Sequence, residues 1–310
     1  MIHLRAVSPP QTTERLVDAF KTNVAVLNLV VFPNASSGPI GDVMEMDVLN
    51  SGANGVIQQL QEAGVEDNGS VVLEPVGAVL SQAAETAERG QSRFQSFTPI
   101  WALVDAQIRA NGLYPPSWYG LLVIAGVIGA VGILTNSQIL VVAAMVVGPE
   151  YGAITSVAQA GVRRDVSTLR RGVLALAVGF FAAIIASLAL GSFVRATGIT
   201  PRAFELGVRP VSNLINTPDL FSVIVAVLAG IVGIISMTES RASTLIGVFV
   251  SVTTIPAASD IGVSTAYGLW HEAWGSLLQL LLNVSTLVVV GMIMLVAQRH
   301  VWDRATPIQR

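Results

Sequence analysis

Two carboxylates stand where the chain is otherwise apolar. Glu150 follows directly on Gly148-Pro149 inside the run QILVVAAMVVGPEYGAI, and Asp260 follows Pro256 inside the later run STLIGVFVSVTTIPAASDIGV. A proline within a helix removes its own backbone donor and displaces the carbonyl four residues earlier, so Met145 and Val252 are expected to present under-bonded oxygens. At about 1.5 Å per residue, Glu150 lies roughly 17 Å beyond Ile139, near the middle of a membrane. A carboxylate at that depth costs at least about 2.5 kcal/mol, so it should face protein or water and not lipid. Asn136, Thr253, Thr254, Ser259 and Asn283, with Ser285 and Thr286, are hydroxyl and amide candidates around the two acids. Such a set suits the binding of a cation, a proton or a polar solute. The competing reading of Glu150 is a structural carboxylate pinned to an arginine or to freed backbone donors. For Asp260 it is a place at the membrane interface, which a small shift of its span would produce.

Other chemistries find no foothold. The 310 residues include no cysteine, which excludes disulfides and thiol nucleophiles. Neither G-x-S-x-G nor HExxH occurs, nor a phosphate-cradling glycine loop or an acidic metal cluster, so no enzyme activity, cofactor or metal is expected. A net charge of -3 offers no basic surface for nucleic acid. His3, alone at the start of an edge strand, reads as a surface residue.

The elements that position the two acids follow from composition. Only 12% of the residues are charged and 52% are hydrophobic, against about 25% charged in an ordinary soluble domain. Nearly every long uncharged run lies after Pro115, which separates a water-soluble region of residues 1–80 from a membrane domain of residues 118–298. In the first, Ile2 to Val7 alternates as a strand. Pro9 and Pro10 open a helix carrying Leu16, Val17 and Phe20, and Val24 to Phe32 is a strand ended by Pro33. Asp42 to Leu49 is a third strand, Asn50 to Gly64 a helix with Val56, Ile57 and Leu60, and Ser70 to Glu74 the last strand. The order β-α-β-β-α-β predicts a ferredoxin-like, split βαβ domain able to fold alone. Residues 81–117 read as an amphipathic linker helix interrupted near Pro99, with Phe94, Phe97, Trp101, Val104 and Ile108 on its apolar stripe.

Six spans are expected in the membrane domain, over residues 118–134, 139–162, 172–194, 220–237, 244–267 and 275–297, with 299–310 a cytoplasmic tail. Tyr114, Trp118 and Tyr119 look like interfacial anchors. Arg163, Arg164, Arg170 and Arg171 crowd one loop, with Arg241, Arg299 and Arg304 on the same side, which predicts a protein of the cell membrane with both termini cytoplasmic. MIHLRAVSPP lacks an apolar core of signal-peptide length, so the N-terminus is expected to stay where it is made. Spans one and two resemble spans four and five: each pair is a small-residue helix, a polar turn and a proline-broken helix. Units of three spans make the second copy enter from the opposite face, a 3+3 inverted repeat. Gly126, Gly129, Gly132, Gly230 and Gly233 let helices approach closely, and a homo-oligomer is expected.

The runs TNSQILVVAAMVVGPEYGAI, STLIGVFVSVTTIPAASDIGV and LLLNVSTLVVVGMIMLVAQR resemble the uncharacterised hydrophobic membrane proteins grouped as domain of unknown function 389. The resemblance reaches from about Trp118 to Arg299 and implies a soluble domain ahead of the helices, but no established substrate or reaction. Many members have Ser-Pro-Leu-Met-Gly-Pro where this chain has Gly148, Pro149, Glu150, Tyr151, Gly152 and Ala153, so Glu150 departs from that form. The function expected from these readings is a transporter or permease for a small solute or ion, with the soluble domain regulating or assembling it. The alternatives are a gated channel or membrane sensor, whose soluble domain detects a ligand, and a structural scaffold.

Overall fold

The computed structural model describes residues 1–77, 79–89, 98–238 and 254–305. The chain forms two units, Met1–Ala106 with the segment from Arg299 onward, and Gln107–Gln298.

In the first unit β1 (Ile2–Ser8), α1 (Pro10–Lys21), β2 (Val26–Ser37), β3 (Ile40–Val48), α2 (Asn50–Glu62), the single turn α3 (Val65–Asn68) and β4 (Ser70–Pro75) follow in order. The sheet runs β2-β3-β1-β4 with every neighbouring pair antiparallel. Period-two alternation decides its faces: Ile2, Leu4 and Ala6 of β1 and Met44, Met46 and Val48 of β3 point inward. Leu16 and Phe20 of α1, and Ala53, Val56, Ile57 and Leu60 of α2, close that core. His3, Arg5, Glu45 and Glu74 line a shallow depression of the sheet with Val72, and His3 Nδ1 lies 2.9 Å from Asp47 Oδ1.

Pro33 does not end β2 as its lack of a donor suggests. On an edge strand one N–H can be missing at no cost, and the ladder slips its register between Phe32 and Ser36 around the proline. Asn34, at φ +50°, donates its N–H to Asp42 Oδ1 at 2.8 Å and carries the strand on to Ser37. The linker is also revised. It forms two helices, α4 (Gln82–Arg89) and α5 (Trp101–Asn111), and Phe94 and Phe97 lie outside the described residues. Asn54 of α2 fixes the start of α5, donating to Pro99 O and accepting from Trp101 N–H. Ile100 joins the sheet's core with Ala102 and Leu103 packed against it. A fragment of residues 1–106 is therefore expected to unfold cooperatively, and one cut at residue 80 to lose stability by about 2 kcal/mol or more, because it uncovers the ground under Ile100. Urea titrations of the two fragments check this; equal midpoints would show that the linker adds nothing.

The second unit contains α6 (Pro116–Leu134), α7 (Gln138–Val147), α8 (Glu150–Arg163), α9 (Val166–Thr197), the short α10 (Arg202–Glu205) and α11 (Pro210–Ile215), α12 (Leu220–Thr238), α13 (Thr254–Ala266) and α14 (Trp270–Ala305), whose last residues pass into the first unit. Among the described residues, four helices are long and apolar enough to cross a membrane: α6, α9, α12 and α14. A fifth arises if α7 and α8, bent by 51°, count as one broken span. The expected count of six is thus not reached. The described part of the proposed fifth span is α13 alone, 13 residues or roughly 20 Å, and residues 244–253 lie outside the described set. On the perimeter, α9 leaves Leu174, Phe181 and Ile185 exposed at helical spacing, as a lipid-facing stripe requires.

Local chemistry sets the helix ends. Asn136, at φ +54°, closes α6: its N–H bonds Ile133 O and the next N–H, of Ser137, bonds Gly132 O. Asp165 caps α9 by accepting from the Thr168 hydroxyl and from the N–H groups of Thr168 and Ser167, and these bonds hold its carboxyl down at about 2. Gly268, at φ +75°, ends α13 in the same manner as Asn136, with Leu269 N–H reaching back to Ser264 O.

Candidate functional site

The second unit places its polar groups unevenly. Helices α8 and α13 are buried almost throughout, including Glu150, Thr155, Ser156 and Gln159 on one and Thr254, Ser259, Asp260 and Ser264 on the other. By contrast α9 and α14 bury only 33% and 28% of their apolar windows. Each interior helix has a proline close by, Pro149 just before α8 and Pro256 two residues into the described part of α13. The two proline segments named from sequence therefore supply the inside of the bundle.

They also meet there. Thr254 Oγ1 donates to Glu150 Oε1 at 2.7 Å, joining residues 104 positions apart. Glu150 is 6% exposed, and its other oxygen, Oε2, has no hydrogen-bond partner among the described residues. Gly148 lies against that oxygen: a Cβ at this position would run into Glu150 Oε2 and into Ile255 Cγ1. Glycine thus keeps the space beside the carboxylate open. No arginine or lysine pairs with Glu150 among the described residues, and at the first position of α8 it sits in the favourable field of a helix N-terminus. Pro149 has no N–H to give to Met145. Its own carbonyl accepts from Trp118 Nε1 at 3.3 Å, so Trp118, expected as an interfacial anchor, is instead buried and braces the break.

Asp260 occupies a separate place. It is fully buried, accepting from Ser212 Oγ at 2.7 Å and from Ser276 Oγ at 2.6 Å. Its side chain thus faces protein and not lipid. Ser212, Ser276 and the nearby Arg209–Glu272 ion pair, 2.9 Å long, were not legible as site residues. Ser212 belongs to a six-residue helix in what reads as a loop. The one available signal is an acid in the first turn of the last helix with an arginine just before Pro210.

The remaining candidates disperse. Ser259 bonds the carbonyls of Ile255 and Gly126, and Gly126 O also accepts from Ser187, so this hydroxyl ties α6, α9 and α13 together. Asn136 holds a helix end and donates to Val208 O. Asn283, buried, accepts from Gln279 at 3.3 Å. Thr253 and the Val252 carbonyl lie outside the described residues. What the geometry assembles is a compact set of Gly148, Pro149, Glu150, Thr254 and Ile255, with a half-satisfied carboxylate able to accept a hydrogen bond, a proton or a cation at Oε2.

Comparison with known proteins agrees with the motifs. Residues 145–289 match the model of a family described as Domain of unknown function (DUF389), a shorter reach than the Trp118 to Arg299 of the sequence resemblance. An uncharacterized protein of Methanocaldococcus jannaschii is 21% identical over 164 residues, covering 53% of this chain and 48% of the relative, so the chain spans about half the length of that relative. No solved structure matches. The matched segment takes in Glu150, Ser212, Thr254, Asp260 and Glu272, and over residues 145–289 the chain is similar to the DUF389 family.

Proposed function

We propose that this protein is a transporter or permease of the cell membrane for a small solute or ion, with its binding site at the Glu150–Thr254 contact. One observation carries the reading: α8 and α13, the helices beside Pro149 and Pro256, are the buried, polar interior of the unit, and a carboxylate oxygen without a partner among the described residues lies where they touch. Interrupted helices near mid-membrane are where transporters place substrates and coupling ions. A structural scaffold has no use for a buried acid beside a glycine-kept space.

The same reading includes a 3+3 inverted repeat of six spans, a ferredoxin-like soluble domain with a regulatory or assembly role, a homo-oligomer and cytoplasmic termini. The antiparallel order β2-β3-β1-β4 is what a split βαβ arrangement produces. The orientation is supported by what the arginines do. On the side opposite Arg163, Arg164, Arg170 and Arg171, Arg195 donates to Ala266 O and Arg209 pairs with Glu272, so two of that side's three cations are committed to the protein.

Full-length protein reconstituted in vesicles tests the function. With a panel of labelled amino acids, sugars, carboxylates and inorganic ions, saturable uptake of at least one solute is expected. Glu150→Gln, which keeps size and removes charge, should lower that uptake about tenfold or more, as loss of a charged hydrogen-bond partner does. Non-saturating conductance would assign a channel. Intact vesicles that move nothing would remove the reading.

A further inference from the structure

We infer that Glu272, Ser212 and Asp260 form a proton relay that loads a buried acid, Asp260, from the end of the bundle where Glu272 is partly exposed. Its use as the coupling step rests on the transporter reading; the relay itself does not. Ser212 Oγ lies 2.7 Å from Asp260 Oδ1 and 3.5 Å from Glu272 Oε2, and it accepts from Asn216 Nδ2 at 3.4 Å. A hydroxyl has one hydrogen and here stands between two carboxylate oxygens. With both acids ionised one of those oxygens would face a lone pair, whereas one added proton satisfies the chain in either of two arrangements. In the first, neutral Glu272 donates from Oε2 to Ser212 and Ser212 donates to Asp260. In the second, Ser212 donates to Glu272 and neutral Asp260 donates to Ser212. Passage from one to the other breaks the Oε2–H bond of Glu272 and forms an O–H bond on Ser212. The former Ser212 hydrogen moves to Asp260 Oδ1, so protons and charge balance.

The surroundings give the chain a direction. The Glu272 side chain is 24% exposed and Asp260 is fully buried. Arg209, 2.9 Å from Glu272 Oε1 and itself 14% exposed, holds that oxygen, which leaves Oε2 as the one toward Ser212. Ser276 supports the second Asp260 oxygen. One turn further along α13, toward the end where Glu272 stands, the fully buried Ser264 faces Asp260. Glu272 and Arg209 are the charged groups facing this site among the described residues. Helices α6 and α7 contain none, and the charges of α9 lie at its ends, where Arg195 is held by Ala266 O.

Infrared difference spectroscopy of the full chain in lipid reads the relay without any transport. Wild type is expected to show, in mildly acidic buffer, a carboxylic-acid carbonyl band that Asp260→Asn removes. Should that variant not assemble, Ser276→Ala identifies the band by shifting its frequency. On transfer to deuterated buffer, exchange of this band should slow by about tenfold or more in Ser212→Ala and in Glu272→Gln, each of which breaks the chain. Thr197→Val, which removes an exposed hydroxyl bonded within its own helix, should leave the rate unchanged. Absence of the band, or a Ser212→Ala rate equal to wild type, overturns the relay. Slowed exchange in a protein that moves no solute would keep the relay and remove the transporter.

Discussion

Gly262→Val is expected to disrupt the packing of α13 against α9. A Cβ at Gly262 of α13 would stand 2.5 Å from Ile184 O and 2.7 Å from Leu188 N, with Ser187 Cβ at 2.6 Å. Two of these neighbours are backbone atoms of α9, a continuous 32-residue helix, so no side-chain rotation makes room. The helices must separate, and separation also strains the Gly126 carbonyl, which accepts from Ser187 of α9 and Ser259 of α13. Overpacking of this kind costs about 1–3 kcal/mol where side chains can yield, and more where only backbone can. Thermal unfolding in detergent should show the loss. Gly120→Ala is the matched control: Gly120 lies inside α6 with nothing within 4 Å of an added Cβ, so alanine should raise stability by up to about 1 kcal/mol through helix propensity. If Gly262→Val melts with wild type, α9 and α13 do not pack as closely as their backbones indicate.

Much of this architecture is legible in the residues. The alternation of Ile2, Leu4 and Ala6 against His3 and Arg5 sets the faces of β1 without knowledge of its partners, because a strand's period is two. Gly148-Pro149 announces a break, and the chain bends by 51° there. Sequence periodicity fails where the information is tertiary. Nothing local says that Glu150 meets Thr254, 104 residues away, and not Asn136 or Asn283, since each of those stands in an equally apolar run. Ser212 was hidden for a different reason. Its short helix has too few residues to show a period, yet it delivers the hydroxyl that bonds Asp260. Ser259 illustrates the reverse error: a hydroxyl beside an acid reads as part of a site, but within a helix the carbonyl four residues back competes for it, and Ile255 O with Gly126 O holds it.

Glu150→Met should make the protein more stable as it removes function. The Glu150 carboxylate is buried with one hydrogen bond, from Thr254, and with one oxygen lacking a partner among the described residues. Burying such a group costs free energy whether it is held charged or neutral, and replacing buried ionic groups by apolar side chains of similar size is often worth about 1–4 kcal/mol of added stability. Methionine is unbranched and fills the same channel of space with an adaptable thioether. The expected result is a rise in melting temperature together with loss of solute uptake, the trade made where a site is kept for binding and not for packing. Thr254→Val sharpens the test. Alone it leaves both carboxylate oxygens unsatisfied and should cost about 1–3 kcal/mol; in the Glu150→Met background, with no acid left to serve, most of that cost should vanish. Were Glu150→Met instead to destabilise the protein by about 2 kcal/mol or more, the carboxylate would be a structural pin between α8 and α13, and its empty oxygen would need no ligand.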